Sequence, residues 1–124
     1  MEPGLSPKEF RDAFSEMAAV RYDFGWMLVS GDRPAGAIFA IGILGLLFIA
    51  DTVWFPWATP RQKIETMVHW INEMRRDMKI IEFARPEDKR FWEHIAKHGI
   101  MRRVGTVHDV YGQPSPLFES RVRQ

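Results

Sequence analysis

From Ala35 to Ala50 the chain reads AGAIFAIGILGLLFIA, an apolar run without a charge. Asp51 and Thr52 interrupt it, and Val53–Trp54–Phe55–Pro56–Trp57 resumes it. Read as one helix, the segment of about 23 residues reaches roughly 34 Å, enough to cross a hydrocarbon core of about 30 Å. Arg33 and Pro34 close one end, and Pro60, Arg61 and Lys63 the other. Trp54, Phe55 and Trp57 stand where a membrane-interface aromatic belt would stand. A buried helix in a globular core is the alternative, but the remaining hundred or so residues are too polar to wrap it on every side.

This reading organises the rest of the chain into four parts. Residues 1–34 form an N-terminal amphipathic arm, 35–58 a transmembrane helix, 59–99 an extramembrane arm of two helices, and 100–124 an extended tail. The expected fold class is all-α with a single pass. The opening segment is acidic and amphipathic, unlike a cleavable signal peptide or an Arg-rich presequence. Of the 17 basic residues, 13 follow the span, which places the C-terminus in the cytoplasm or matrix by the positive-inside rule. The expected location is therefore an inner membrane, mitochondrial or bacterial.

Ser6–Pro7–Lys8–Glu9 is a helix-start signal, and Phe10, Phe14 and Met17 follow it at helical spacing. Within the span, Ile38, Gly42 and Gly45 lie on one helical face, where small residues allow a second helix to approach. Asp51 is the one carboxylate near the bilayer, placed to reach interfacial water or a partner. Thr59–Pro60–Arg61–Gln62 is a second start signal, with Thr59 and Gln62 spaced as a capping box. Ile64, Met67, Ile71, Met74, Met78 and Ile81 then step by 3, 4, 3, 4 and 3. That seam predicts a helix from about Pro60 to Ile81, facing a partner subunit or the lipid surface; a narrow seam favours the partner. Arg85–Pro86–Glu87–Asp88 opens a third helix, through Phe91 and Trp92 to His98, stopping at Gly99. Beyond it, Ile100 to Val110 suggests a short strand without a sheet partner.

The chemistry visible in the sequence is sparse. With no cysteine, the chain has no disulfide, iron–sulfur or thiolate zinc site. Net charge of +1 argues against a nucleic-acid binder. Met67, Met74 and Met78 could present thioethers to Cu(I), but packing accounts for them better, as no histidine shares their face. His94 and His98 are four apart but lack the glutamate placement of HExxH and a third ligand. No glycine-rich phosphate loop and no nucleophile–base pair is present.

The expectation is thus a non-catalytic accessory subunit of a multi-subunit membrane complex, with no cofactor, metal or small-molecule substrate. A respiratory or other energy-transducing complex is the leading setting. Its partners are membrane-protein subunits and lipid, contacted through the residues named above and through Phe91 and Trp92. A component of a bacterial secretion or conjugation machine, or a membrane-anchored adaptor, is the alternative.

Overall fold

In a computed structural model of the chain, residues 23–108 and 112–122 are described. The all-α expectation fails at its centre, because the long apolar run is a β-hairpin. Strand β2 (Arg33–Ile43) runs out, turns at Leu44–Gly45, and returns as β3 (Leu46–Trp54). The two strands pair antiparallel from Ile43↔Leu46 to Gly36↔Trp54. Leu44 and Gly45 have φ of 49° and 80°, the pair of positive values that a tight two-residue hairpin requires. No helix among the described residues is long and apolar enough to cross a membrane. The expectation of a single-pass inner-membrane protein, with its orientation, falls with that helix.

Over Ala35–Ala40, β2 is buried on both faces, as a central strand must be, whereas β3 is buried on one face and half-buried on the other. On one face Ile38, Ala40, Leu47 and Ile49 join the main core. On the other, Ala37 and Phe39 meet Phe55 in a second cluster, flanked by Met27, Val53 and Trp57. Strand β1 (Phe24–Ser30) pairs antiparallel with the outer side of β2. The expected N-terminal helix over residues 7–21 lies outside the described residues.

After β3 the chain crosses the sheet as helix α1 (Pro60–Met74). Its start matches the sequence reading: Thr59 Oγ1 accepts from the Gln62 amide, and the Gln62 side chain accepts from the Thr59 amide. The seam is helical only as far as Met74. Met67 and Ile71 are fully buried in the chain's own core, with Ile64 and Met74 packed against it. Past Met74 the chain turns, and Ile81 belongs to β4 (Lys79–Phe83), a strand parallel to β3. A 3₁₀ turn (Pro86–Asp88) leads into α2 (Lys89–Ala96), and Gly99 follows with φ of 78°. The strand expected after Gly99 does have a partner: β5 (Met101–His108) pairs with β6 (Pro114–Ser120), the supposed extended tail. The sheet order is β1-β2-β3-β4-β6-β5, antiparallel except at β3/β4. Both helices contribute to one core, through Met67, Trp70 and Ile71 from α1 and Trp92 and Ile95 from α2.

Leu44 is 98% exposed and has positive φ, so it makes no core contact and carries backbone strain of about 1 kcal/mol. Leu44→Asn, which suits that turn, is expected to raise Tm by roughly 4 °C in thermal melts. An unchanged or lower Tm would count against a hairpin turn at this position.

Candidate functional site

The parallel pairing of β3 and β4 covers four residue pairs, from Leu46↔Lys79 to Ile49↔Glu82, and then stops. A β-bulge causes the stop. On β2, neighbouring residues Ala40 and Phe39 pair with Ile49 and Asp51, leaving Ala50 as an extra residue in β3. A bulge bends the strand that carries it and re-aims the side chains beyond it. Past Ala50, β3 stays with β2 and parts from β4, and a cavity of about 190 Å³ opens between them. Asp51, Trp54, Lys63, Glu82, Arg85 and Phe91 are among its lining residues.

The aromatic wall depends on a glycine. Gly36 pairs with Trp54, and a Cβ built on it would stand 2.6 Å from the Trp54 ring and 2.5 Å from the Val53 carbonyl oxygen. With no side chain there, the indole can lie over the strand. Trp54 then meets Phe91 edge-on at 5.9 Å, and the Lys63 ammonium sits 6.0 Å from its ring centre.

Glu82 is the polar centre of the notch. It follows Ile80 and Ile81 on an inner strand and is only 8% exposed. Its Oε2 has no hydrogen-bond partner. Burial, reinforced by the negative charge of Asp88, pushes its pKa up to about 9, against the opposing pull of Arg85. Glu82 therefore carries a proton at neutral pH. Arg85 Nη2 lies 3.7 Å from Asp51 Oδ1, so Asp51 is ion-paired within its own chain. Partial burial and the neighbouring Glu87 carboxylate raise the Asp88 pKa.

The start of α1 borders this notch, and its backbone donors are nearly all spent. The Thr59 and Gln62 amides are engaged in the capping box, and the Lys63 amide donates to the Thr59 carbonyl. In the preceding turn the Phe55 amide donates to Ala35 and the Ala58 amide to Phe55. Pro56 and Pro60 have no amide hydrogen.

The residues singled out from the sequence are dispersed by this fold. Ile38, Met67, Ile71 and Trp92 are core. Gly42 lies under the Phe24 ring, and Gly45 is in the hairpin turn. Met78 packs at the core margin, in the turn before β4. Phe55 is buried and stacks on Trp57 at 4.5 Å, while Trp57 Nε1 donates to the Pro34 carbonyl. His94 and His98, with ring centres 5.7 Å apart, face an open groove shared with Ile64 and Phe91. Among the described residues no three metal-ligating side chains converge. Of the named residues, Asp51, Trp54, Phe91 and Trp92 reach the notch. Glu82 was missed, though a single acid directly after two β-branched residues is the pattern of a buried carboxyl on a strand.

No protein-family model matches the sequence, and no curated protein sequence matches it. Solved structures do match. The ribosomal-protein-S18-alanine N-acetyltransferase from Escherichia coli superposes with a TM-score of 0.64 at 8% identity, over 98% of this chain and 93% of that one. An acetyltransferase of the GNAT family from Bacillus cereus gives 0.64 at 12% identity, over 94% and 82%. Aminoglycoside 6′-acetyltransferase type Ii gives 0.62 at 14% identity, over 95% and 83%. At such identities the likeness establishes a shared fold.

These neighbours overturn the functional expectation. A non-catalytic accessory subunit held among membrane proteins and lipid required the apolar run as a span, whereas the run forms the middle of a sheet found in acetyltransferases. The same finding removes the secretion-machine and membrane-adaptor alternatives. The absence of a familiar catalytic motif is likewise no argument against an enzyme in a fold that enzymes share.

The raised pKa of Glu82 has a definite consequence for stability. Unfolded, the carboxyl titrates near 4.5; folded, near 9. The folded state therefore holds the proton more tightly, and stability is lost as pH rises from about 4.5 to about 9. Glu82→Gln is expected to flatten that part of the pH–Tm curve in calorimetry. Parallel curves for the two proteins would show that Glu82 ionises normally.

Proposed function

We propose that this chain is an N-acyltransferase, moving an acyl group from a thioester to an amine at the notch where β3 and β4 part. The observation that carries the reading is Glu82, a buried, proton-bearing carboxyl with an unpartnered oxygen beside the cavity opened by the Ala50 bulge. Perturbed titratable groups in clefts concentrate at functional sites. The fold shared with N-acetyltransferases supports the same reaction class.

The overall step is balanced within the substrates. The amine nitrogen bonds to the acyl carbon, the carbon–sulfur bond breaks, and one proton leaves nitrogen while one is taken up by sulfur. Lys63 and Arg85 balance the charges of Asp51 and Asp88 at the notch, so the acceptor enters as the free amine whose nitrogen loses one proton. Glu82, neutral at pH 7, offers its proton where charge develops on the carbonyl oxygen or the departing sulfur. The aromatic wall of Trp54, Phe91 and Trp92 limits water around that group.

The fold implies acetyl-CoA as donor. The cavity suits an acyl-thioester arm, but the start of α1 does not fit the nucleotide diphosphate, since its amides are occupied or absent. No step is therefore drawn through coenzyme A.

Glu82→Leu tests the assignment. It removes an unpartnered buried polar group, so the variant is expected to fold and to melt higher than the parent. Acyl transfer from acetyl thioesters to primary amines, read by mass spectrometry, is expected to fall about 100-fold. Unchanged transfer in the variant would overturn the role of Glu82, and absence of acylated product in the parent would overturn the function.

A further inference from the structure

We infer that the acyl donor is recognised through its acyl-thioester arm alone, and that the donor class is a pantetheine-type thioester without a nucleotide. This inference rests on the proposed acyltransferase reading. Its ground is a count of backbone donors where a diphosphate would have to sit. In a strand–helix–strand unit the first turn of the crossover helix is the natural anion cradle, because its amides are unpaired and the helix dipole points positive there. The cradle works when several consecutive amides point outward, which a glycine-rich turn permits.

Here that arrangement is closed by the sequence itself. Across residues 55–63 two positions are proline, and the amides of Phe55, Ala58, Thr59, Gln62 and Lys63 already donate within the chain. Only Trp57 and Arg61 keep a backbone donor to offer, and they are separated by the cap. No glycine occurs between Gly45 and Gly99 to let the turn rearrange. The capping box is also mutual, so an anion would have to displace the Thr59 hydroxyl to reach the Gln62 amide.

Of the cations near that turn, Arg61 and Lys63 are engaged, while Arg90 lines the open groove with His94 and His98. Arg61 Nε is 2.7 Å from Glu65 Oε1, and Lys63 is held over Trp54. Arg85 faces Asp51, and Asp88 lines the same notch.

The test is a titration of the whole chain, followed by its tryptophan fluorescence, with acetyl-pantetheine, acetyl-CoA and 3′-phosphoadenosine 5′-diphosphate. Acetyl-pantetheine and acetyl-CoA are expected to bind with Kd values within about threefold of each other. The diphosphate is expected to displace neither. Acetyl-CoA binding 100-fold tighter, with displacement by the diphosphate, would overturn the inference while leaving the acyltransferase reading intact. Failure of both thioesters to bind would overturn that reading, and the inference with it.

Discussion

One extra residue in one strand determines the functional geometry of this molecule. Ala50 has no partner on β2, and β3 must bend to keep its pairing on either side of the bulge. Before it, β3 and β4 are joined as a parallel pair; after it they are not. The gap sets Glu82 beside a cavity rather than within a packed layer, with no donor for its second oxygen. The raised pKa follows from that seat, because burial penalises the charged form and Asp88 adds to the penalty. An apolar residue at position 82 would serve the core better. An acid there is a local conflict in an otherwise consistent fold, and the proposed role of Glu82 is built on it.

The local signals in the sequence were sound, and the global reading failed on one ambiguity. The capping box at Thr59 and Gln62, the proline start at Pro86 and the turn glycine at Gly99 all stand in the structure as their chemistry requires. Each is a contact among residues a few positions apart, so sequence suffices to read it. The run from Ala35 to Trp57 is different. A lipid-facing helix and a pair of central strands can each be uniformly apolar, and periodicity cannot separate them. The separating signs were Gly45, placed to reverse the chain, and the β-branched and aromatic residues on either side of it. Leu44 obscured the turn, since a leucine rarely adopts positive φ.

The seam from Ile64 to Ile81 shows a second kind of failure. Its first half is a true helical stripe, buried by the sheet rather than by a neighbouring subunit. Met78 and Ile81 continue the 3,4 spacing by coincidence, because a turn and a strand happen to place apolar residues there. The notch was illegible for a related reason. Asp51 and Glu82 lie on strands brought together only by the parallel register and separated by the whole of α1. What the sequence did carry was an absence, the missing glycine-rich phosphate loop. In the folded chain the turn in that place is a closed cap made by Thr59 and Gln62.

The central claim is that residues 35–57 fold back on themselves, since the bulge, the notch and Glu82 all depend on it. Cross-strand nuclear Overhauser contacts between the backbone protons of Gly36 and Trp54 and of Ala37 and Val53 test it most directly. In the hairpin these residues are paired neighbours, with Cα atoms about 5 Å apart. In a continuous helix Gly36 and Trp54 would stand about 27 Å apart, beyond the reach of any such contact. Observation of the cross-strand contacts is the expected result, and a ladder of contacts between residues three and four apart through this segment would contradict it.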